Sequence, residues 1–379
     1  MRIAQLNPGR VLNALGGTEK VFFAMANAMN NRGHSVGCFF YDTVEGTPLF
    51  PVNKNVRLNN CFNKARIKSK KRWAKIKACL YLNKKKRREV RTITRNKLII
   101  SDIKSFKPDV IILYWVDPII NELVKLKVPV VLMMHLPPTL FASKPYFPAC
   151  MPGMEKSSCI QVLMPSAVSE MYQFVKNDNI VHIPNVVPQY ETVSNRASHT
   201  IIFLGRIAEL KRPWILAEAF ALLKDKYPDW KVELWGEEHC EPKVAKRVHE
   251  IIERRGLENH VICCGPTTNI EDKLNNASII VMPSSMESFC LAAAEGMSKG
   301  LPCVVCKDCE TLRTIVRHGE NGFHCEPSAE DMAAWLSKLM DSQELREKLG
   351  NQAREDMKQY ASENIYDKWE LELKRLTKM

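Results

Sequence analysis

"SIIVMPSSMESFCLAAAEGM", Ser278 to Met297, decides the fold. It opens with an apolar run short enough for a buried strand and passes through Pro283-Ser284-Ser285. It then continues as an alanine-rich stretch of helical character. A strand followed closely by a helix is the unit of a parallel sheet covered by helices. The stretch also carries two carboxylates, Glu287 where the loop becomes helix and Glu295 two turns further in.

Working outward, the same unit recurs along nearly all of the 379 residues. In the N-terminal half, strand-like runs stand at "RIAQLN", "SVGCFFY", "DVIILYW", "PVVLMMH", "IQVLMP" and "IVHIP". The C-terminal half adds "TIIFLGR", "KVELWGE", "HVICCGP", "SIIVMPS" and "LPCVVC". Between the sets lies "NVVPQYETVSNRASHT", polar and without a period, which reads as a linker. The fold class is therefore α/β, with two doubly wound domains facing a cleft: residues 1–185, residues 186–360, and a helix over 361–379 that packs back on the first domain. In that last helix Ile365, Trp369, Leu373 and Leu376 share one face. Ligands of such sheets bind beyond the carboxyl ends of the strands, so the chemistry is sought in those loops.

Composition excludes some classes. No apolar run approaches the roughly 20 residues needed to span a bilayer, and "MRIAQLNPGR" lacks a signal-peptide core, so the expected location is cytoplasmic. Of the 13 cysteines, several sit in apolar strands as small hydrophobes. Cys303, Cys306, Cys309 and Cys325 have spacing that allows a metal. However, "LPCVVCK" is a strand, in which residues three apart face opposite sides. No metal site is expected.

The net charge of +13 is concentrated. Residues 54–97 hold 18 Lys plus Arg and one acid, Glu89, which leaves the rest of the chain at −4. Within this segment Trp73, Ile76 and Leu80 fall on one side of an expected helix among lysines. That pattern suits an anionic membrane surface, with localisation at the inner face of the plasma membrane. An ordinary solvated helix and a nucleic-acid surface stay open, although no nucleic-acid motif accompanies it.

Three motifs carry chemistry. "LGGTEKVFFAMANAMNNRGHSV" places Gly16 and Gly17 ahead of an amphipathic helix, either as an anion seat or as a plain tight turn. In "FLGRIAELKRPWILAEAF" a strand ends at Gly205; Arg206 and Lys211 follow, two cations suited to a diphosphate or simply a polar loop. In the opening stretch, Ser288, Phe289, Cys290 and then Leu291 begin the helix, and their N–H groups form another anion seat. Eight helical residues rise about 12 Å, near the length of a nucleotide sugar from ribose to hexose. Glu287 and Glu295 then match its two ends, or are two ordinary surface acids.

"PSSMESFCLAAAEGMSKGLPCVV" resembles the E-x7-E region of retaining glycosyltransferases of family four, which have the GT-B fold. "GRIAELK" is similar to that family's diphosphate clamp, "GGTEKVFFAMANAMNNRGHSV" to its glycine loop, "HIPNVV" to its interdomain crossing and "HGENGFHCEP" to a late loop. The matches run in order from Arg2 to about Tyr360. The resemblance implies that Glu295 holds ribose hydroxyls and Glu287 the donor sugar. Arg206, Lys211 and the Gly16–Gly17 amides would hold the diphosphate, and the base would lie at Gly265-Pro266-Thr267. His135, closing "VVLMMH", corresponds to a residue beside the anomeric carbon. The donor is a nucleoside-diphosphate sugar, UDP favoured over GDP, and no further cofactor is required. The acceptor is a lipid-linked or lipopolysaccharide-type glycan. The chain departs from the family at Cys290, where glycine is common, and at Glu310, Thr311 and Thr314, where a Gly-Gly pair and a glutamate often stand. No D-x-D-type cluster follows a strand. The rivals are a transferase acting on soluble or protein acceptors, and a non-catalytic nucleotide-sugar or polyanion binder.

Overall fold

The structure, a computed structural model, describes residues 1–62 and 84–379. The stripe of Trp73, Ile76 and Leu80 lies outside the described residues. The chain divides into two compact units, Met1–Ile183 with Tyr366–Met379, and Pro184–Ile365.

The first unit holds seven strands: β1 (Arg2–Asn7), β2 (Ser35–Phe40), β3 (Arg57–Asn60), β4 (Val110–Leu113), β5 (Val130–Met133), β6 (Cys159–Val162) and β7 (Ile180–His182). They form one parallel sheet in the order β3-β2-β1-β4-β5-β6-β7. The second unit holds β8 (Thr200–Leu204), β9 (Lys231–Trp235), β10 (Val261–Gly265), β11 (Ile279–Met282), β12 (Cys303–Cys306) and β13 (Gly322–Cys325), again parallel, in the order β10-β9-β8-β11-β12-β13. Strands β4, β5, β6, β8, β11 and β12 are buried along their whole length, which is why they read as unbroken apolar runs.

In each sheet the strand order reverses beside the first strand, between β1 and β4 and between β8 and β11. That reversal splays the loops at the carboxyl ends apart and leaves a crevice there. Two parallel α/β units with this order bear out the expected fold class.

The helix Ser362–Thr377 buries Trp369 and Leu373. Its polar face is bonded within the first unit: Arg32 Nη1 donates to Asp367 at 2.7 Å and to Glu370 at 2.9 Å, and Asn179 Nδ2 donates to Glu372 at 3.0 Å. Burying the two apolar side chains contributes about 2–3 kcal/mol each. Among the described residues no helix is long and apolar enough to cross a membrane.

Candidate functional site

In the second unit, three glycines close three neighbouring strand ends. Gly205 N–H donates to Trp235 O, and Gly236 N–H donates to Gly265 O, both at 2.9 Å. A Cβ on Gly236 would fall 1.8 Å from Gly205 O, so only glycine allows this backbone approach. The lacing places Arg206 after β8 and Pro266-Thr267 after β10 at one end of the sheet. Thr267 Oγ1 accepts from Asn269 N–H at 3.1 Å, which tightens the turn at the expected base position.

Lys211 ends a short 3-10 turn, Glu209–Lys211, and Arg212 follows in the left-handed region at φ 48°. That bend is fixed by Arg212, which forks to Asp308 at 2.7 and 2.8 Å and donates through Nε to Pro283 O at 2.7 Å. Ser285 N–H donates to Leu210 O at 2.9 Å, so the loops after β8 and β11 are bonded to each other. The outcome is a contact at the switch point: Lys211 Nζ reaches Glu287 Oε1 at 2.5 Å, and Ser284 Oγ donates to the same oxygen at 2.7 Å. These side chains are only 19% and 9% exposed, so bulk water screens the pair weakly. Burial works against the Lys211 ammonium, but the charge and hydrogen bond of Glu287 outweigh it and hold Lys211 above its ordinary value. Lys211 is therefore a fixed cation at neutral pH. Arg206, by contrast, is exposed to solvent.

One expectation is corrected. Ser288, Phe289 and Cys290 do not begin the helix, which runs Leu291–Ser298. Cys290 stands ahead of it at φ 62°, and a left-handed residue cannot continue a right-handed helix. Glu287 consequently sits in the loop, pinned by Thr311 Oγ1 donating to its carbonyl at 2.8 Å, and the 12 Å helical spacing to Glu295 does not apply. Sequence reasoning had noted Thr311 only as a departure; here it has a positioning contact.

Holding a cysteine at positive φ costs about 1–2 kcal/mol. Cys290→Gly is therefore expected to melt at or above Cys290→Ala, although glycine carries the greater chain entropy. Thermal unfolding of the two variants checks this; an alanine variant clearly more stable than the glycine variant contradicts it.

Glu295 lies on a helix face whose neighbours are buried, and is itself 2% exposed. Gly296 lets this helix lie close on β11, since a Cβ there would meet Ile280 Cδ1 at 2.5 Å. Burial first, then the charges of Glu295 and Glu271, raise Tyr190, which places Glu295 in a polar cluster with that phenol. The fully buried Lys299 belongs to the same cluster, with Nζ 2.9 Å from both Thr192 Oγ1 and Glu271 Oε1 and over the Tyr190 ring. Sequence reasoning missed Lys299 and Tyr190.

In the first unit, Gly16 caps the helix Gly17–Asn31. The buried Glu19 folds back over it: a Cβ on Gly16 would fall 2.1 Å from Glu19 Oε2. The positive helix end thus already faces a carboxylate of the chain, and any phosphate there competes with it. His135 follows β5 and stacks on Tyr114, with ring centroids 5.7 Å apart. Burial pushes the His135 imidazole down to about 4, so the ring is neutral at pH 7.

The sign of the resulting pH dependence is fixed. Between about 4 and the ordinary value of 6.5, the unfolded chain binds a proton at His135 that the folded chain does not. Stability therefore falls as pH drops through that window, by roughly 3 kcal/mol in all from this group. His34 and His182 are also lowered by burial and act in the same direction. The test is the difference between wild type and His135→Gln in urea unfolding, where the variant should lose less stability between pH 7 and 4.5. Parallel losses would exclude the effect.

The four cysteines with metal-like spacing do not form a cluster. Cys303 and Cys306 are buried in β12, and Cys306 Sγ lies 3.9 Å from Cys325 Sγ across to β13. Among the described residues the side chains with metal-compatible spacing are Glu237, His239 and Cys240, and Glu238, His249 and Cys263.

The second unit thus defines a class: a parallel α/β domain with a half-buried Lys–Glu pair at its switch point. Residues 191–356 match the family model described as "Glycosyl transferases group 1". An uncharacterised glycosyltransferase of Haemophilus influenzae is 24% identical over 363 residues, 94% of this chain and 96% of that protein. Several other curated relatives are matched over 20% to 60% of their own length. Among solved structures, sucrose-phosphate synthase of Thermosynechococcus elongatus superposes with a TM-score of 0.79 at 15% identity, over 99% of this chain and 98% of that one. Anabaena HepE in complex with UDP and glucose does so at 0.74 and 17%, over 99% and 100%. The structural likenesses establish the GT-B type of fold. The group 1 glycosyltransferase match lies wholly within the second unit, and the Haemophilus relative matched along nearly the whole chain is likewise described as a glycosyltransferase.

Proposed function

We propose that the chain is a retaining, metal-independent hexosyltransferase. It moves a hexose or hexosamine from a nucleoside-diphosphate sugar, UDP over GDP, to a lipid-linked or lipopolysaccharide-type glycan. The observation that carries this reading is the Lys211–Glu287 pair held at the switch point of the second sheet. In the reaction, the bond from the anomeric carbon to the phosphate oxygen breaks and its electron pair leaves with the diphosphate. Lys211 and Arg206 stabilise that charge, aided by the amides at Ser288–Leu291. Glu287 accepts hydrogen bonds from the sugar, Glu295 from the ribose, and Pro266-Thr267 lie against the base. For the first unit the resemblance alone assigns neutral His135 to the reacting sugar, without an added charge, and Gly16–Gly17 to a set of diphosphate-binding amides. The acceptor hydroxyl oxygen then bonds the same face of the sugar, and its proton passes to the departing diphosphate oxygen.

A panel of UDP- and GDP-sugars with the full chain tests this, reading free nucleoside diphosphate and the anomer of the transferred sugar. Release from none of the donors would leave a non-catalytic binder. The basic segment 54–97 supports peripheral attachment to anionic lipid at the cytoplasmic face. Flotation with anionic vesicles separates that from the soluble-acceptor reading, which predicts no binding at low salt.

A further inference from the structure

We propose that Glu238, His249 and Cys263 form a zinc-binding site of the second unit, separate from Lys211 and Glu287. It does not depend on the activity proposed above. The three donors come from three elements: the loop after β9, the helix Pro242–Arg255, and β10. Their ligand atoms all lie within 4.8 Å of one another, and Glu238 Oε2 is already 2.8 Å from His249 Nε2.

A carboxylate oxygen, an imidazole nitrogen and a thiol sulfur make a borderline-soft set, which suits Zn²⁺ far better than Mg²⁺ or Ca²⁺. Tetrahedral zinc, with bonds of about 2.0–2.3 Å, separates neighbouring ligand atoms by about 3.3–3.8 Å. The present spacing brackets that range, so side-chain shifts of about 1 Å close the site. Water completes the fourth position, and the Cys263 proton leaves to solvent as the thiolate bonds the metal. Strand β10 is an edge strand whose register shifts between Cys263 and Gly265, and such bulges re-aim side chains locally.

The neighbouring Glu237, His239 and Cys240 also lie within 4.8 Å of one another. All three lie within one loop, between β9 and the helix Pro242–Arg255, and the His239 side chain is 79% exposed, so an ion there would join no two elements. An ion at Glu238, His249 and Cys263 ties the loop to a helix and a strand. That loop in turn supports the turn after β8: Ile207 N–H donates to Glu237 O at 3.0 Å, and Glu209 N–H to Glu241 Oε2 at 2.9 Å. Zinc would steady the backbone on either side of Ala208.

The test uses the full chain stripped by a chelator and titrated with Zn²⁺ against a chromophoric competitor. Co²⁺ serves as a spectroscopic probe of thiolate ligation. Wild type is expected to take up one ion, to melt higher with zinc, and to show a thiolate-to-cobalt band. His249→Ala, on an exposed helix position, and Cys263→Ser should each weaken uptake at least about tenfold. Cys263→Ser should also remove the band, while His239→Ala and Cys240→Ser keep uptake, band and melting shift. Circular dichroism checks that each variant is folded. No uptake by wild type, uptake indifferent to His249→Ala and Cys263→Ser, or loss confined to the His239 and Cys240 variants overturns the site.

Discussion

Lys211→Ala is expected to lower kcat/KM for the nucleotide sugar about 10²–10³-fold, the loss seen when one fixed donor to a developing oxyanion is removed. The effect should fall on kcat, because charge on the leaving diphosphate grows in the transition state. A second effect runs in parallel. The deletion leaves the Glu287 carboxylate, 9% exposed, with Ser284 as its remaining side-chain donor, and stability should drop by about 1–3 kcal/mol. The double variant Lys211→Met with Glu287→Gln separates the two. It removes both charges, so it should recover stability without recovering turnover. Wild-type turnover in Lys211→Ala would remove Lys211 from the machinery.

Glu295→Ala should raise KM for the donor with smaller change in kcat, by about 10²–10³-fold in kcat/KM. On the proposed assignment the loss corresponds to two hydrogen bonds from ribose hydroxyls to a water-excluded carboxylate, each about 1.5–2 kcal/mol. Helical alanine is well tolerated, so the fold should persist. A donor lacking the ribose 2′-hydroxyl distinguishes this role from a structural one. It should be a poor substrate for wild type, yet scarcely worse than the parent donor for Glu295→Ala. Equal discrimination by both enzymes would place Glu295 away from the ribose.

What the sequence disclosed follows from what each element is made of. Eleven strands are continuous or alternating apolar runs and were legible as such. Strands β3 and β13 were not, because neither carries an apolar run: β3 is polar and mostly exposed, and β13 is four residues carrying Gly322 and His324. Lys211 and Glu287 were legible as residue types in the right loops. Their contact was not, since it depends on the Arg212 bend and the Asp308 fork. A cysteine at positive φ has no sequence signature at all, so the late start of the Leu291–Ser298 helix was hidden. Gly16 and Glu19 stand at capping-box spacing, a signal that would have revealed the folded-back acid. Glu238, His249 and Cys263 lack any short-range motif, and only the fold gathers them.

The first unit is made from two separate stretches of the sequence, Met1–Ile183 and Tyr366–Met379, with the second threaded between them as an uninterrupted insert. During synthesis the insert can therefore mature while its host still lacks Trp369 and Leu373. A stop codon near position 365 would spare the younger domain and cripple the older one, whose missing helix, supplied as a separate peptide, is the natural rescue.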